Sequence, residues 1–176
     1  MPVTAKKAVK KAPIAKKKAP AAPDALIGRP APAFTLPATR IGKASLKDLK
    51  GKPFVLYFYP KDDTSGCTTE ACGFRDALPA FAKLGVTVIG VSKDSLASHE
   101  KFAKKYDLTF PLASDADGDI CEKFGVWKEK SMYGRKYMGI ERSTFLIDGK
   151  GVVRAVWRKV SVTGHIDEVA GAIAGL

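Results

Sequence analysis

Long apolar runs are missing from this chain. Its uninterrupted hydrophobic stretches span only a few residues, against the ~18 needed to cross a bilayer as a helix. Cysteine is scarce too. Cys67, Cys72 and Cys121 do not form two close pairs, which argues against a zinc site and against the disulfide framework of a small secreted domain. The basic N-terminus has no apolar centre of the kind a secretory signal carries. No arginine precedes Arg29, no serine precedes Ser45, and Pro13, Pro20 and Pro23 interrupt any helix, so a mitochondrial targeting helix is not expected. A reducing cytoplasm is the expected compartment, with no membrane association.

Acidic residues are absent from positions 1–23, which hold Lys6, Lys7, Lys10, Lys11, Lys16, Lys17 and Lys18. The formal charge is +12, but removing those seven lysines leaves 23 basic against 18 acidic side chains. The remainder is only modestly basic. A leader built from Lys, Ala and Pro cannot bury enough surface to offset its ordering entropy, so residues 1–24 are expected to be a disordered tail. Such a tail can neutralise nucleic-acid phosphates without sequence preference, or act as a solubilising appendage. No aromatics interleave with its lysines, so base stacking is not indicated. Residues 25–176 fit a single domain, and with 45% hydrophobic residues the chain can fill a sizeable core.

From Pro30 the pattern becomes that of a folded domain. Pro30 to Pro37 reads as an extended edge segment, since proline is tolerated there. Leu46 and Leu49 suggest one helical turn. Phe54-Val-Leu-Tyr-Phe-Tyr59 and Val86-Thr-Val-Ile-Gly-Val-Ser92 read as buried strands. Residues 95–106 form an amphipathic pattern with Leu96, Phe102 and Tyr106. A brief Phe110-Pro-Leu-Ala stretch and a helix near 118–124 follow. Thr144 to Asp148, a Gly149-Lys-Gly turn, and Val152 to Trp157 make a hairpin, and His165 to Ala174 is helical in pattern. Alternating β and α units closed by a hairpin and a helix indicate an α/β fold with a mixed central sheet flanked by helices.

The most informative segment is Pro60-Lys-Asp-Asp-Thr-Ser-Gly-Cys-Thr-Thr-Glu-Ala-Cys72. It follows a buried strand and precedes Ala71, Phe74, Leu78 and Phe81 at helical spacing, a helix that Pro79 should kink or split. Cys67 therefore sits in or beside a helix's first turn. Unpaired N–H groups and the positive dipole end there favour a thiolate. Cys72 lies five residues on. In an ideal helix, Cα atoms at i and i+5 are roughly 8.7 Å apart, beyond the ~7 Å that an unstrained bridge tolerates. A Cys67–Cys72 disulfide thus requires the intervening helix to unwind.

Pro60-x-x-x-Thr64-x-x-Cys67 after an aromatic strand resembles the active-site signature of peroxiredoxins, the thiol-dependent peroxidases. A second cysteine five residues later is similar to the Q-type subgroup, also called bacterioferritin comigratory proteins. The resemblance runs from about Ile27 to the C-terminus and includes Cys121-Glu-Lys-Phe-Gly-Val-Trp127 and Gly139-Ile-Glu-Arg-Ser-Thr-Phe-Leu-Ile-Asp148. It implies a thioredoxin-like fold and a monomer that needs no metal or organic cofactor. It implies Cys67 as the peroxidatic and Cys72 as the resolving cysteine. Thr64 would bond the thiolate and the peroxide, Arg142 would hold the thiolate and polarise the O–O bond, and Pro60 would shield the site. Thioredoxin or glutaredoxin would reduce the resulting disulfide. Ser65 stands where the family usually has proline.

Other candidates have plainer readings. Cys121 is expected to be structural, His99 and His165 to be surface residues, and Trp127 and Trp157 to be core or near-core. Glu70 either complements the helix dipole or buttresses Arg142. The basic stretch from Lys128 to Lys136 is expected to be solvated, toward the active-site side in the implied family. A disulfide-exchange activity is disfavoured, because the spacing is C-x₄-C and not C-x-x-C.

Overall fold

The computed structural model describes residues 24–176. The expected disordered leader lies outside the described residues except for Asp24, whose carboxylate accepts a bond from Arg158 Nε at 2.7 Å. In chain order the elements begin with β1 (Thr35–Ala38), β2 (Gly42–Ser45), α1 (Leu46–Leu49), β3 (Phe54–Phe58), α2 (Ser65–Lys83), β4 (Thr87–Ser92) and α3 (Leu96–Lys105). They continue with β5 (Leu112–Ser114), α4 (Ile120–Lys123), β6 (Trp127–Met132), β7 (Arg135–Ile140), β8 (Ser143–Ile147), β9 (Val153–Trp157) and α5 (His165–Ala174).

Seven strands form one mixed sheet in the order β2-β1-β5-β4-β3-β8-β9, and β6 and β7 form a separate two-stranded ribbon. β3 pairs parallel with β4 and antiparallel with β8, so it lies at the centre. Its residues are all buried because both faces of the sheet are covered. Phe54, Leu56 and Phe58 point into a core with Phe34, Leu46, Ile120 and Phe124. Val55, Tyr57 and Tyr59 point into a second core, against Cys67, Ala71 and Phe74 of α2, Phe102 of α3 and Val169 of α5. This two-sided burial explains why β3 reads as an unbroken apolar run, not as an alternation.

Two expectations about proline are revised. The segment bearing Pro37 is not the sheet edge: β2 pairs along all of β1 and takes that position. Pro37 is tolerated because β1 meets β5 only at Ala38↔Ala113, so Pro37 owes no ladder N–H on that side. Pro79 does not split α2, which runs unbroken from Ser65 to Lys83 with the proline on an exposed position.

The basic stretch expected to be solvated is exposed but regular. β6 and β7 pair from Trp127↔Ile140 to Met132↔Arg135, and Tyr133 and Gly134 between them have φ of 51° and 77°. Two successive positive-φ residues make the turn that matches strand twist, and glycine occupies the second place at little cost. Trp127 and Trp157 are half-buried against the two cores, as expected.

Both histidines are buried, which corrects the expectation that they lie on the surface. The ring nitrogens of His99 lie 2.7 Å from Asp62 Oδ2 and 2.9 Å from the Ala113 carbonyl. His165 Nε2 lies 2.7 Å from Thr144 Oγ1, and its ring meets the edges of Phe74 and Trp157. A polar ring can be buried when its nitrogens find such partners, and these partners are remote in sequence.

Candidate active site

β3 ends at Phe58, and the loop 60–64 delivers the chain to α2, whose N-cap is Thr64 in an extended conformation. Cys67 is therefore the third residue of α2, in the turn whose amides lack intrahelical acceptors. That turn carries no acidic side chain to compete for its positive end. Cys67 is 1% exposed, and Arg142 Nη2 donates to its sulfur at 3.3 Å. Arg142 enters from the segment between β7 and β8, 75 residues away. Gly66 lets it in: a Cβ there would stand 3.1 Å from Arg142 Nη2.

Glu70 lies one turn beyond Cys67 and accepts from Arg142 Nη1 at 2.9 Å. Of its two expected readings, the buttress is the one that the geometry realises. Glu70 is wholly buried, and its second oxygen has no protein partner among the described residues. Burial pushes its carboxyl up to about 7, with Arg142 pulling the other way. Burial opposes the Arg142 cation as well, yet Glu70 and Cys67 hold its pKa above the usual arginine value. The pair thus favours charge on Arg142, while burial governs Glu70.

The remaining expected residues are placed as follows. The Thr64 hydroxyl donates to the Lys61 carbonyl at 2.9 Å, which leaves its lone pairs free to accept. Pro60 is exposed on the loop. Cys72 is half-buried further along α2, and all three cysteines are free thiols. Cys121 is fully buried, and burial with Asp115 beside it pushes its thiol well above the ordinary range, as suits an inert packing residue.

Two parts of the site lie beyond the sequence expectations. Asp62, two residues after Pro60, accepts from Tyr59 Oη at 2.6 Å and from Ser98 Oγ at 2.8 Å, besides meeting His99. Its amide donates to Asp94 at 2.8 Å. The loop carrying Pro60 and Thr64 is thereby tied to α3 and to the end of β4. Asp62, Asp94 and His99 bring possible ligand atoms within 4.8 Å of one another, but hydrogen bonds already engage those atoms and no metal is called for. The second part is Lys130 on β6. Burial and Arg142 lower its pKa while Cys67 and Glu141 pull it up, and its strand pairs with β7, which runs into Arg142. The only sequence signals were Asp62 within the loop motif and the basic stretch around Lys130.

Residues 27–156 match the model of the AhpC/TSA family. The chain is 56% identical over 147 residues to a putative peroxiredoxin bcp of Coxiella burnetii, covering 84% of this chain and 97% of that protein. It is 51% identical over 142 residues to peroxiredoxin Bcp of Bacillus subtilis, covering 81% and 90%. Among solved structures, Xanthomonas campestris peroxiredoxin Q superposes with a TM-score of 0.77 at 46% identity, over 81% of this chain and 90% of that one. A bacterioferritin comigratory protein of the same organism, described in work on its alkyl peroxide reduction activity, gives the same TM-score, identity and coverage.

Proposed function

The chain belongs to the AhpC/TSA family, and from that premise we propose that Cys67 is its peroxidatic nucleophile and Cys72 its resolving thiol. The protein is a thiol-dependent peroxidase with a thioredoxin-like fold, acting on a peroxide and drawing electrons from a thiol reductant. The observation that carries the residue assignment is the contact of Arg142 Nη2 with Cys67 Sγ at 3.3 Å, inside the first turn of α2.

The chemistry follows from that geometry. The Cys67 thiolate attacks one oxygen of the peroxide; the S–O bond forms, the O–O bond breaks, and an alkoxide or hydroxide departs and takes up a proton. Cys67 is oxidised by two electrons to the sulfenic acid. Arg142 attracts the thiolate and, with the amides of the first turn, offsets negative charge developing on the leaving oxygen. Glu70 holds the guanidinium in line. The Thr64 hydroxyl, committed as a donor to Lys61, accepts the peroxide O–H and orients it. Pro60, exposed at the loop, limits access of bulk water. Cys72 then attacks the sulfenic sulfur, hydroxide leaves as water after protonation, and a Cys67–Cys72 disulfide results. α2 must open between them, because an intact helix holds them too far apart.

Thioredoxin or glutaredoxin is the reductant we favour, and a monomer in the cytoplasm is the form in which we expect the protein to work. No helix among the described residues is long and apolar enough to cross a membrane. The nucleic-acid reading rests on the leader, outside the described residues, and nothing in the comparisons favours it. The test is peroxide consumption by two variants. Cys67→Ser should abolish turnover, and Cys72→Ser should still consume about one equivalent per chain in a single oxidation. Full turnover by the Cys67→Ser protein would overturn the assignment.

A further inference from the structure

The β6–β7 arm shows solvent an unusual surface. Met132, Tyr133, Tyr137 and Met138 are 57%, 100%, 43% and 49% exposed. Among the described residues the arm belongs to no larger sheet, although an isolated two-stranded ribbon is marginally stable in water. Exposed apolar clusters of this kind mark interaction sites more often than accidents.

The register sorts the arm into two unlike faces. Opposed residues share a face and alternate along each strand. One face carries Glu129 and Met138 with Ser131 and Lys136, and Glu129 offsets Lys136 at 3.7 Å. The other carries Lys128, Lys130 and Met132 opposite Gly139, Tyr137 and Arg135. It holds three cations and no acid, with a methionine and a tyrosine among them. Lys130 belongs to this second face, and β7 ends at Ile140, just before Arg142, whose guanidinium donates to Cys67 Sγ at 3.3 Å. The arm that bears the cationic face thus leads straight into the residue that holds the nucleophile.

We propose that this face, Lys128, Lys130, Met132, Arg135 and Tyr137, is the docking surface for the protein that reduces the Cys67–Cys72 disulfide, and that this partner is a dithiol protein with an acidic rim. The inference rests on the peroxidase reading above and adds the surface and its charge. Electron-transfer partners meet through small, transient interfaces, which opposite charges assemble quickly and flexible methionines adapt to. A second copy of this chain would bring the same three cations and be repelled. Residues 1–23, with seven lysines and no acid, would be repelled as well.

The experiment compares peroxidase turnover supported by thioredoxin with turnover supported by dithiothreitol, a reductant too small to need the surface. In Lys128→Glu/Arg135→Glu, kcat/KM for thioredoxin should fall about ten-fold or more through KM and lose its dependence on salt. Dithiothreitol-supported turnover should stay within about two-fold. Met132→Ser/Tyr137→Ser should weaken thioredoxin about five-fold on the same pattern, and Lys136→Glu on the opposite face should change neither rate. Thioredoxin efficiency retained within about two-fold in both double variants, or a fall in step with dithiothreitol, would overturn the proposal. So would a DNA oligonucleotide that binds the parent chain and is released by the same charge reversals. Absence of dithiothreitol-supported turnover in the parent protein would strike the peroxidase reading itself, and this inference with it.

Discussion

Replacing Glu70 with glutamine, and separately His165 with glutamine, should uncover two proton-linked contributions to stability that oppose each other in the parent chain. The Glu70 carboxyl is raised from 4.5 to about 7, burial outweighing Arg142. His165, 2% exposed, is lowered from 6.5 to about 4 by burial first and Arg142 second. Between pH 4.5 and 7 the folded protein keeps a proton on Glu70 that the unfolded chain releases, so stability falls as pH rises. Between pH 4 and 6.5 the unfolded chain protonates His165 and the folded protein does not, so stability rises with pH. Each displacement, about 2.5 pH units, is worth about 3 kcal/mol. Over the shared window the two slopes nearly cancel.

Urea unfolding of the reduced proteins at half-unit steps from pH 4 to 8 measures this directly. Relative to the parent, Glu70→Gln should gain about 3 kcal/mol as pH rises through 4.5–7, and His165→Gln should lose about as much through 4–6.5. Taking differences from the parent removes other carboxylates, such as Asp24 with its Arg158 partner. Three parallel stability curves would refute the reasoning, because they would mean that neither group changes its proton affinity on folding.

Two further outcomes concern α2. A Cβ at Gly73 would stand 2.8 Å from Ile166 Cγ1 of α5. Gly73→Ala should therefore destabilise by about 1 kcal/mol, overpacking exceeding the helical gain from alanine, and a double-mutant cycle with Ile166→Ala should recover the penalty. Oxidation to the disulfide should remove far-UV helical signal for about two turns, with faster amide exchange confined to residues 65–73. The boundary is set by Phe74, whose ring stacks on Tyr57 at a centroid distance of 4.6 Å. Unchanged helicity in the disulfide form would contradict the spacing argument.

The residues that announced themselves were those whose surroundings are local or uniform. β3 reads as a strand because its faces are both apolar, and α2 because Ala71, Phe74 and Phe81 recur on one side. The nucleophile was legible because its loop, helix turn and second thiol lie within thirteen residues. Three kinds of feature were not. β2, Gly-Lys-Ala-Ser, has no period to detect. The β6–β7 arm is charged along both strands, so neither apolar alternation nor an amphipathic stripe marks it. The buried histidines and the loop anchor depend on pairs such as Asp62 with His99, 37 residues apart, which exist only once β3, β4 and α3 lie side by side. The Arg142–Glu70 contact, spanning 72 residues, could be offered as one alternative but not chosen.

The division of β3 between two separate cores has a consequence for wear. On the proposed mechanism, forming the Cys67–Cys72 disulfide lifts the start of α2 from the layer that also holds Tyr57 and Phe74. The opposite layer, where Phe145 meets Phe58 and Phe124 edge to face, lies across the sheet from that upheaval. It acts as a chassis: the first turns of α2 can open and close again while the far layer holds the shape of the sheet.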